Sequence, residues 1–200
     1  PSEKTRIIPH VVIPREHHDT PHENLRIVHL GNLLPPRDAA PFLRALTEFI
    51  KNEKDAKLEI AFIGQTPQSI KDFVNTNRLE KYVKIFPPVK YKESQHILEN
   101  YDIQLIVEAP CEEGIFLPTK VSDSMQLGKP IFTISPSVGV LNDLYKQGHI
   151  SYFSSVQNEK NILSTLRQIY KDFTNGKIKS FSLEKSYSPR TIFQQYNEII

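Results

Sequence analysis

The chain of 200 residues is long enough for a domain with a buried core, and 38% hydrophobic residues are typical of a globular protein. Its net charge of +2 is too small to indicate nucleic acid as a partner. The single cysteine excludes an internal disulfide and a multi-cysteine zinc site, and it favours a reducing, cytoplasmic compartment. No apolar run approaches the roughly 18 residues that a membrane helix needs.

The first 24 residues are predicted to form a linker. A short β-type run covers Arg6–Ile8, and residues 9–24 are rich in Pro and His. His17, His18 and His22 could bind a metal only in a fixed geometry, so a solvated loop is the favoured interpretation. The chain opens with Pro-Ser-Glu-Lys-Thr and no Met, so we expect it to be part of a longer protein.

From residue 25 onwards, short apolar runs alternate with helical patterns. Phe42 to Ile50 and Ile162 to Phe173 carry apolar residues at helical spacing, and a third helix is predicted over Lys120–Leu127, ended by Gly128. This alternation predicts βαβ crossovers, and therefore a single α/β domain with a doubly wound parallel sheet over residues 25–188. The strands are predicted at Leu25–Leu30, Leu58–Ile63, Tyr82–Phe86, Asp102–Val107, Pro130–Ile134 and Ile150–Phe153.

Three dipeptides predict helix starts, because each places a capping hydroxyl before a proline. They are Thr66-Pro67, Ser135-Pro136 and Ser188-Pro189. The third opens a helix predicted over residues 189–200, after an irregular stretch from Thr174 to Ser188.

Parallel sheets of this kind bind ligands beyond the carboxyl ends of their strands, so the loops at that edge are the candidate site. Neither GxGxxG after the first strand nor GxxxxGK[ST] occurs, so a standard dinucleotide or P-loop site is not supported. GxSxG is absent too, which disfavours a nucleophilic hydrolase. The loops to inspect are Gly31–Arg37, Gly64–Gln68, Pro87–Tyr91, Glu108–Lys120 and Ser135–Gly139.

Lys120 and Asp123 lie three residues apart on the helix that is predicted to begin near Pro118 or Thr119. Free amides at a helix start, together with Lys120, would attract a phosphate. The Asp123 carboxylate could accept two hydrogen bonds from a ribose diol. The alternative is a solvent-exposed ion pair between the two side chains, and spacing alone leaves both interpretations open.

The stretch Leu117-Pro-Thr-Lys-Val-Ser-Asp-Ser-Met-Gln-Leu-Gly-Lys-Pro130 resembles the "P-[ST]-K-hydrophobic-x-[ED]-x-hydrophobic-x-x-G-K-P" segment of family 4 (group 1) glycosyltransferases with the GT-B fold. The resemblance implies that the chain is their C-terminal, donor-binding domain, which is one Rossmann-like half of the fold. Residues 1–24 would then be an interdomain segment, and residues 189–200 a C-terminal helix. Further stretches in family order are Leu25–Leu46, Ala61–Gly64, Tyr82–Val89 and Asn100–Val107.

Such a domain belongs to a retaining, metal-independent enzyme that transfers a sugar from a nucleoside diphosphate, here UDP in preference to GDP. The acceptor, a glycan or lipid-linked sugar, would require an N-terminal domain, so the isolated chain is expected to be inactive. No cofactor, nucleic acid or transmembrane segment is implied, although the longer enzyme could associate peripherally with a membrane. Implied catalytic residues are Glu113 (or Glu112), Arg37 and Lys120, and implied donor-binding residues are Gly31, Asn32, Val89, Gly114, Ile115, Phe116 and Asp123.

The chain departs from the family pattern at three positions. Asn32 occupies the place of a basic residue, Asp123 is one methylene shorter than the usual glutamate, and Ile115 rather than a glutamate lies eight residues before it. These departures leave two alternatives open: a non-catalytic GT-B-like binding domain, and a nucleotide-sugar 2-epimerase domain of the same fold.

Overall fold

A computed structural model describes residues 11–16, 22–156, 158–178 and 187–198. The predicted strand at Arg6–Ile8 and the histidines His17 and His18 lie outside the described residues.

Six strands form one sheet in the order β3-β2-β1-β4-β5-β6, and every pairing is parallel. The central strands are apolar nearly throughout because helices cover both of their faces. The prediction of a doubly wound parallel α/β domain is therefore confirmed. The strands are β1 (Leu25–Leu30), β2 (Leu58–Ile63), β3 (Val83–Phe86), β4 (Ile103–Val107), β5 (Ile131–Ser135) and β6 (Tyr152–Ser155).

The helices lie on both faces of the sheet. One face packs against the first, second and sixth helices, around Phe42, Phe62 and Phe132. The opposite face packs against the third, fourth and fifth helices in two smaller clusters, which contain Met125 and Leu98. The helices are α1 (Ala40–Asn52), α2 (Gln68–Thr76), α3 (Tyr91–Glu99), α4 (Thr119–Gln126), α5 (Val140–Lys146), α6 (Glu159–Thr174) and α7 (Pro189–Asn197).

β1 lies at the point where the strand order reverses. It pairs with β2 on one side and with β4 on the other, with Ile27 opposite Ile103. The loops after β1 and β4 lead to α1 and α4, which lie on opposite faces, so a crevice opens at the carboxyl edge between them.

One predicted helix start is wrong, and another is shifted by a residue. No helix begins at Ser135-Pro136: Ser135 ends β5, and α5 starts only at Val140, after Gly139. Pro67 is the N-cap of α2 rather than its first residue, and the Thr66 hydroxyl donates to the Gly64 carbonyl instead of capping. Ser188 does cap α7, because its side chain accepts from the Thr191 N–H.

The described part of the lead-in, residues 11–16, lies against the domain. Val12 is buried beside Ile106 and Val121, and its N–H donates to the Tyr187 carbonyl at 2.9 Å. The division into residues 1–24, 25–188 and 189–200 stays a prediction. In the part of the chain that the structure describes, no helix combines the length and the apolar character required to cross a bilayer.

Candidate functional site

Two cavities lie side by side at the carboxyl edge of the sheet, and all five loops singled out in the sequence contribute to them. The first, which we call the Lys120 cavity, has a volume of about 290 Å³; its lining residues include Gly31, Asn32, Gly64, Val89, Tyr91, Lys120 and Asp123. The second, the Glu113 cavity, has a volume of about 420 Å³; its lining residues include Arg37, Glu108, Glu113, Gly114, Ile115, Phe116 and Val138.

Two glycines bring the loops after β1 and β2 into backbone contact. A β-carbon on Gly64, whose φ is +146°, would lie 2.3 Å from the Gly31 carbonyl oxygen. The Asn32 side chain fixes the same contact, because its Oδ1 accepts from the Gln65 N–H at 2.9 Å. Asn32 therefore ties two loops together where the family pattern has a basic side chain.

Lys120 extends from the first turn of α4 across Gly31. A β-carbon on Gly31, whose φ is +115°, would lie 2.7 Å from Lys120 Cε and 2.9 Å from Nζ, so only glycine leaves this path free. Burial lowers the pKa of Lys120, and the positive charge of Arg37 lowers it further. A half-buried ammonium group beside the side-chain-free backbone of Gly31 is suited to binding an anion.

Asp123 lies one turn further along α4 and faces the same cavity. Its Oδ1 accepts a hydrogen bond from the Tyr91 hydroxyl at 2.8 Å. Burial raises the pKa of Asp123, while the Tyr91 hydrogen bond acts in the opposite direction. Among the described residues Asp123 forms no ion pair with Lys120, so the exposed ion pair considered from the sequence is not present.

Arg37 lines the Glu113 cavity and is paired with Glu108. Its Nε and Nη2 donate to the two Glu108 carboxylate oxygens at 3.4 and 3.2 Å. His29 of β1 is fully buried, and its Nδ1 lies 3.0 Å from the Leu105 carbonyl oxygen. Burial, with the nearby charge of Lys120, lowers the pKa of His29 to about 3, so the ring is neutral at physiological pH.

The Glu113 cavity is held open by a second glycine pair. Gly114 and Gly139 form a parallel bridge, and a β-carbon on Gly139 would lie 2.3 Å from the Gly114 carbonyl oxygen. Three apolar side chains line this cavity and are exposed to solvent: Ile115, Phe116 and Val138. Of the two candidate glutamates, Glu113 lines the cavity and Glu112 does not.

The structure thus gathers the predicted site residues in these two neighbouring cavities, with Glu112 outside them. Sequence reasoning missed Glu108, although its place directly after β4 was a usable signal. It also missed Gln95, a buried polar residue of α3 that no hydropathy pattern reveals. No cluster of three His, Cys, Asp or Glu side chains that could hold a metal occurs within the described ranges.

No protein-family model and no curated protein matches the chain. Solved structures do match it, with TM-scores above 0.6 at low sequence identity. The pneumococcal O-GlcNAc transferase GtfA, in complex with UDP and GlcNAc, has a TM-score of 0.62 at 13% identity over 96% of this chain and 37% of that one. Anabaena HepE, in complex with UDP and glucose, has a TM-score of 0.63 at 16% identity over 88% of this chain and 47% of that one.

The sucrose-phosphate synthase of Thermosynechococcus elongatus has a TM-score of 0.65 at 13% identity over 97% of this chain. The chain spans 51% of that synthase and a smaller share of the other two structures. At this level of identity the likeness shows the fold alone. The fold is therefore that of a Rossmann-like α/β domain matching one half of the GT-B glycosyltransferases.

Proposed function

We propose that this chain is the C-terminal, donor-binding domain of a retaining family 4 glycosyltransferase that uses a nucleoside-diphosphate sugar. The observation that carries the proposal is the placement of Lys120 and Asp123 one turn apart on α4, both facing a cavity floored by Gly31. The Lys120 ammonium group and the exposed backbone of Gly31 could bind a diphosphate, and the Asp123 carboxylate one turn away could accept hydrogen bonds from the ribose hydroxyls.

The donor would extend through both cavities. The base would lie against Pro88 and Val89, the ribose at Asp123, and the diphosphate between Gly31 and Lys120. The sugar would then enter the Glu113 cavity, beside the backbone from Gly114 to Phe116. We favour UDP over GDP as the nucleotide, and we place the acceptor, a glycan or a lipid-linked sugar, on a further domain outside this chain.

Charge stabilisation would replace metal chemistry in this site. As the bond to the sugar breaks, negative charge accumulates on the leaving diphosphate, and fixed cations stabilise that charge. Lys120 and Arg37 are the cations that the two cavities offer. Arg37 would have to act while paired with Glu108, or exchange that carboxylate for the diphosphate.

The pairing of Arg37 with Glu108 also supports a second candidate function, a binding domain without transferase activity. Of the described cations that line the two cavities, only Lys120 would then meet the diphosphate unpaired, because Asn32 is neutral and holds a loop. Such a domain would still bind a nucleotide. Sugar transfer by the longer protein distinguishes the two functions.

The test is calorimetric titration of the 200-residue chain with UDP, GDP, ADP and CMP. We expect UDP to bind in preference, and Asp123→Asn to weaken it about 10- to 100-fold, because hydrogen bonds to a charged group contribute about 1.5–3 kcal/mol. Asp143→Asn, on the exposed surface of α5, is the matched control and should bind like the wild type. Absence of binding by every nucleotide, or binding that Asp123→Asn leaves intact, would reject the proposal.

A further inference from the structure

Two side chains of α3 act on the Asp123 carboxylate. Tyr91, the first residue of α3, donates its hydroxyl hydrogen to Asp123 Oδ1 at 2.8 Å. Gln95, one turn later, lies close enough for its amide to lower the pKa of Asp123. Because Gln95 is only 4% exposed and lies outside the cavity lining, it acts on Asp123 and not on a ligand directly.

The orientation of the Gln95 amide is determined by Arg15. Arg15 Nη1 donates to Gln95 Oε1 at 3.5 Å, which directs the oxygen to the guanidinium and leaves the amide NH₂ for the carboxylate side. The Gln95 side-chain nitrogen is buried and forms no hydrogen bond with any described residue, Asp123 included. A buried donor without a partner is costly, so a small shift that brings the Asp123 carboxylate within hydrogen-bond distance of this amide would be favourable.

Arg15 itself is anchored at the carboxyl ends of two helices. Its N–H donates to the carbonyl of Gln126, the last residue of α4, at 2.7 Å. Its Nη2 pairs at 3.4 Å with Glu99, the last residue of α3. A cation at two helix carboxyl ends is favourably placed, and it fixes α3 relative to α4.

We propose that Arg15 is a positioning residue for the ribose-binding carboxylate and acts through Gln95. This inference rests on the proposed function, since it takes Asp123 as the group that binds the ribose. Tyr91 and Gln95 would each donate to the Asp123 carboxylate and leave acceptor positions for the two ribose hydroxyls. Arg15 lies outside the lining of the Lys120 cavity, so its effect on a ligand would be indirect. The segment 11–16 would thereby be coupled to nucleotide affinity.

The test compares two nucleotides on the same variants. UDP carries both ribose hydroxyls, and 2′,3′-dideoxyuridine diphosphate carries neither. We expect Arg15→Ala to weaken UDP about 5- to 10-fold, as for the loss of one ordinary hydrogen bond, because Arg15 acts on the carboxylate indirectly; the dideoxy analogue should be unchanged. The matched control is Arg44→Ala, which removes an exposed ion pair with Glu159 and should change neither affinity.

Each other outcome overturns the inference, and the two proposals fail in different ways. The effect of Arg15 on Asp123 through Gln95 is called the relay below. If UDP binding depends on Asp123 and Arg15→Ala leaves it unchanged, the relay is wrong while the proposed function stands. Equal weakening of both nucleotides would also overturn it, because that result indicates general destabilisation.

If no nucleotide binds at all, the proposed function fails, and the ¹H–¹⁵N resonances of the Gln95 side chain decide the relay. We expect these resonances to shift as Asp123 titrates in the wild type, and this shift to be lost in Arg15→Ala. A Gln95 amide that does not respond to Asp123 in the wild type would refute the relay.

Discussion

Acidification should destabilise this protein through His29, a side chain with no exposed surface. The folded state holds the ring neutral, with a pKa of about 3 against an ordinary value of 6.5. Because the folded pKa is lowered, the stabilisation is fully present above pH 6.5 and is lost as the pH falls towards 3. In that window the unfolded chain binds a proton that the folded chain excludes.

The magnitude follows from the difference between these pKa values. Each pH unit below the unfolded value lowers the free energy of unfolding by about 1.4 kcal/mol, so the loss at pH 4.5 is about 2.7 kcal/mol. Total stabilities of domains are roughly 5–15 kcal/mol, so this effect is large enough to measure. Other groups titrate in the same range, and the effect of His29 must therefore be isolated by substitution.

His29→Asn is the matched variant, because an asparagine amide can still donate to the Leu105 carbonyl while carrying no titratable group. Urea unfolding should be followed by far-ultraviolet circular dichroism, since the chain contains no Trp. Between pH 7.5 and 4.5 the wild type should lose about 2.7 kcal/mol more than the variant. Equal losses in the two proteins, or a His29 ring that titrates near its ordinary pKa by NMR, would refute this reasoning.

Three further predictions concern the cavities. Gly64→Ala should lower the free energy of unfolding by roughly 2–4 kcal/mol, because the new β-carbon meets the Gly31 carbonyl; Gly148→Ala, with a left-handed φ but open space, should cost clearly less in the same urea titration. Lys120→Met should weaken UDP about 10- to 100-fold and leave uridine unchanged in calorimetry, and equal effects on both would argue against a diphosphate contact. UDP affinity should fall on acidification at a higher pH than an ordinary aspartate would predict, because burial raises the pKa of Asp123; an Asp123→Asn variant should lack this acidic limb.

The sheet was predictable from the sequence because its central strands are covered on both faces and carry uninterrupted apolar residues. Edges were harder. The predicted strand at Ile150–Phe153 begins two residues early, since Ile150 packs beside α5 before β6 starts at Tyr152. The Ser135-Pro136 pattern failed because Gly114 pairs with Gly139, and this long-range bridge holds the segment extended where local propensity favours a helix.

For the candidate site, the sequence identified the loops that line the two cavities, and all the named site residues except Glu112 lie in these cavities. Lys120 and Asp123 could be paired from helical spacing alone. The partners of these residues could not be found that way. Glu108 meets Arg37 across 71 positions of the chain, and Arg15 meets Gln95 across 80. No local pattern predicts such pairings, and the first of them decides whether Arg37 is available to a ligand.

The two glycine contacts, Gly31 with Gly64 and Gly114 with Gly139, have a consequence for how relatives of this chain can diverge. Each contact is backbone against backbone, so a side chain at Gly64 or Gly139 displaces main chain whatever the protein binds. A relative that keeps the fold and loses its ligand should therefore retain these two glycines while Lys120 and Asp123 drift. We expect relatives to retain the two glycines wherever the shape of the crevice is kept, and to retain Lys120 and Asp123 only where the crevice still binds its ligand.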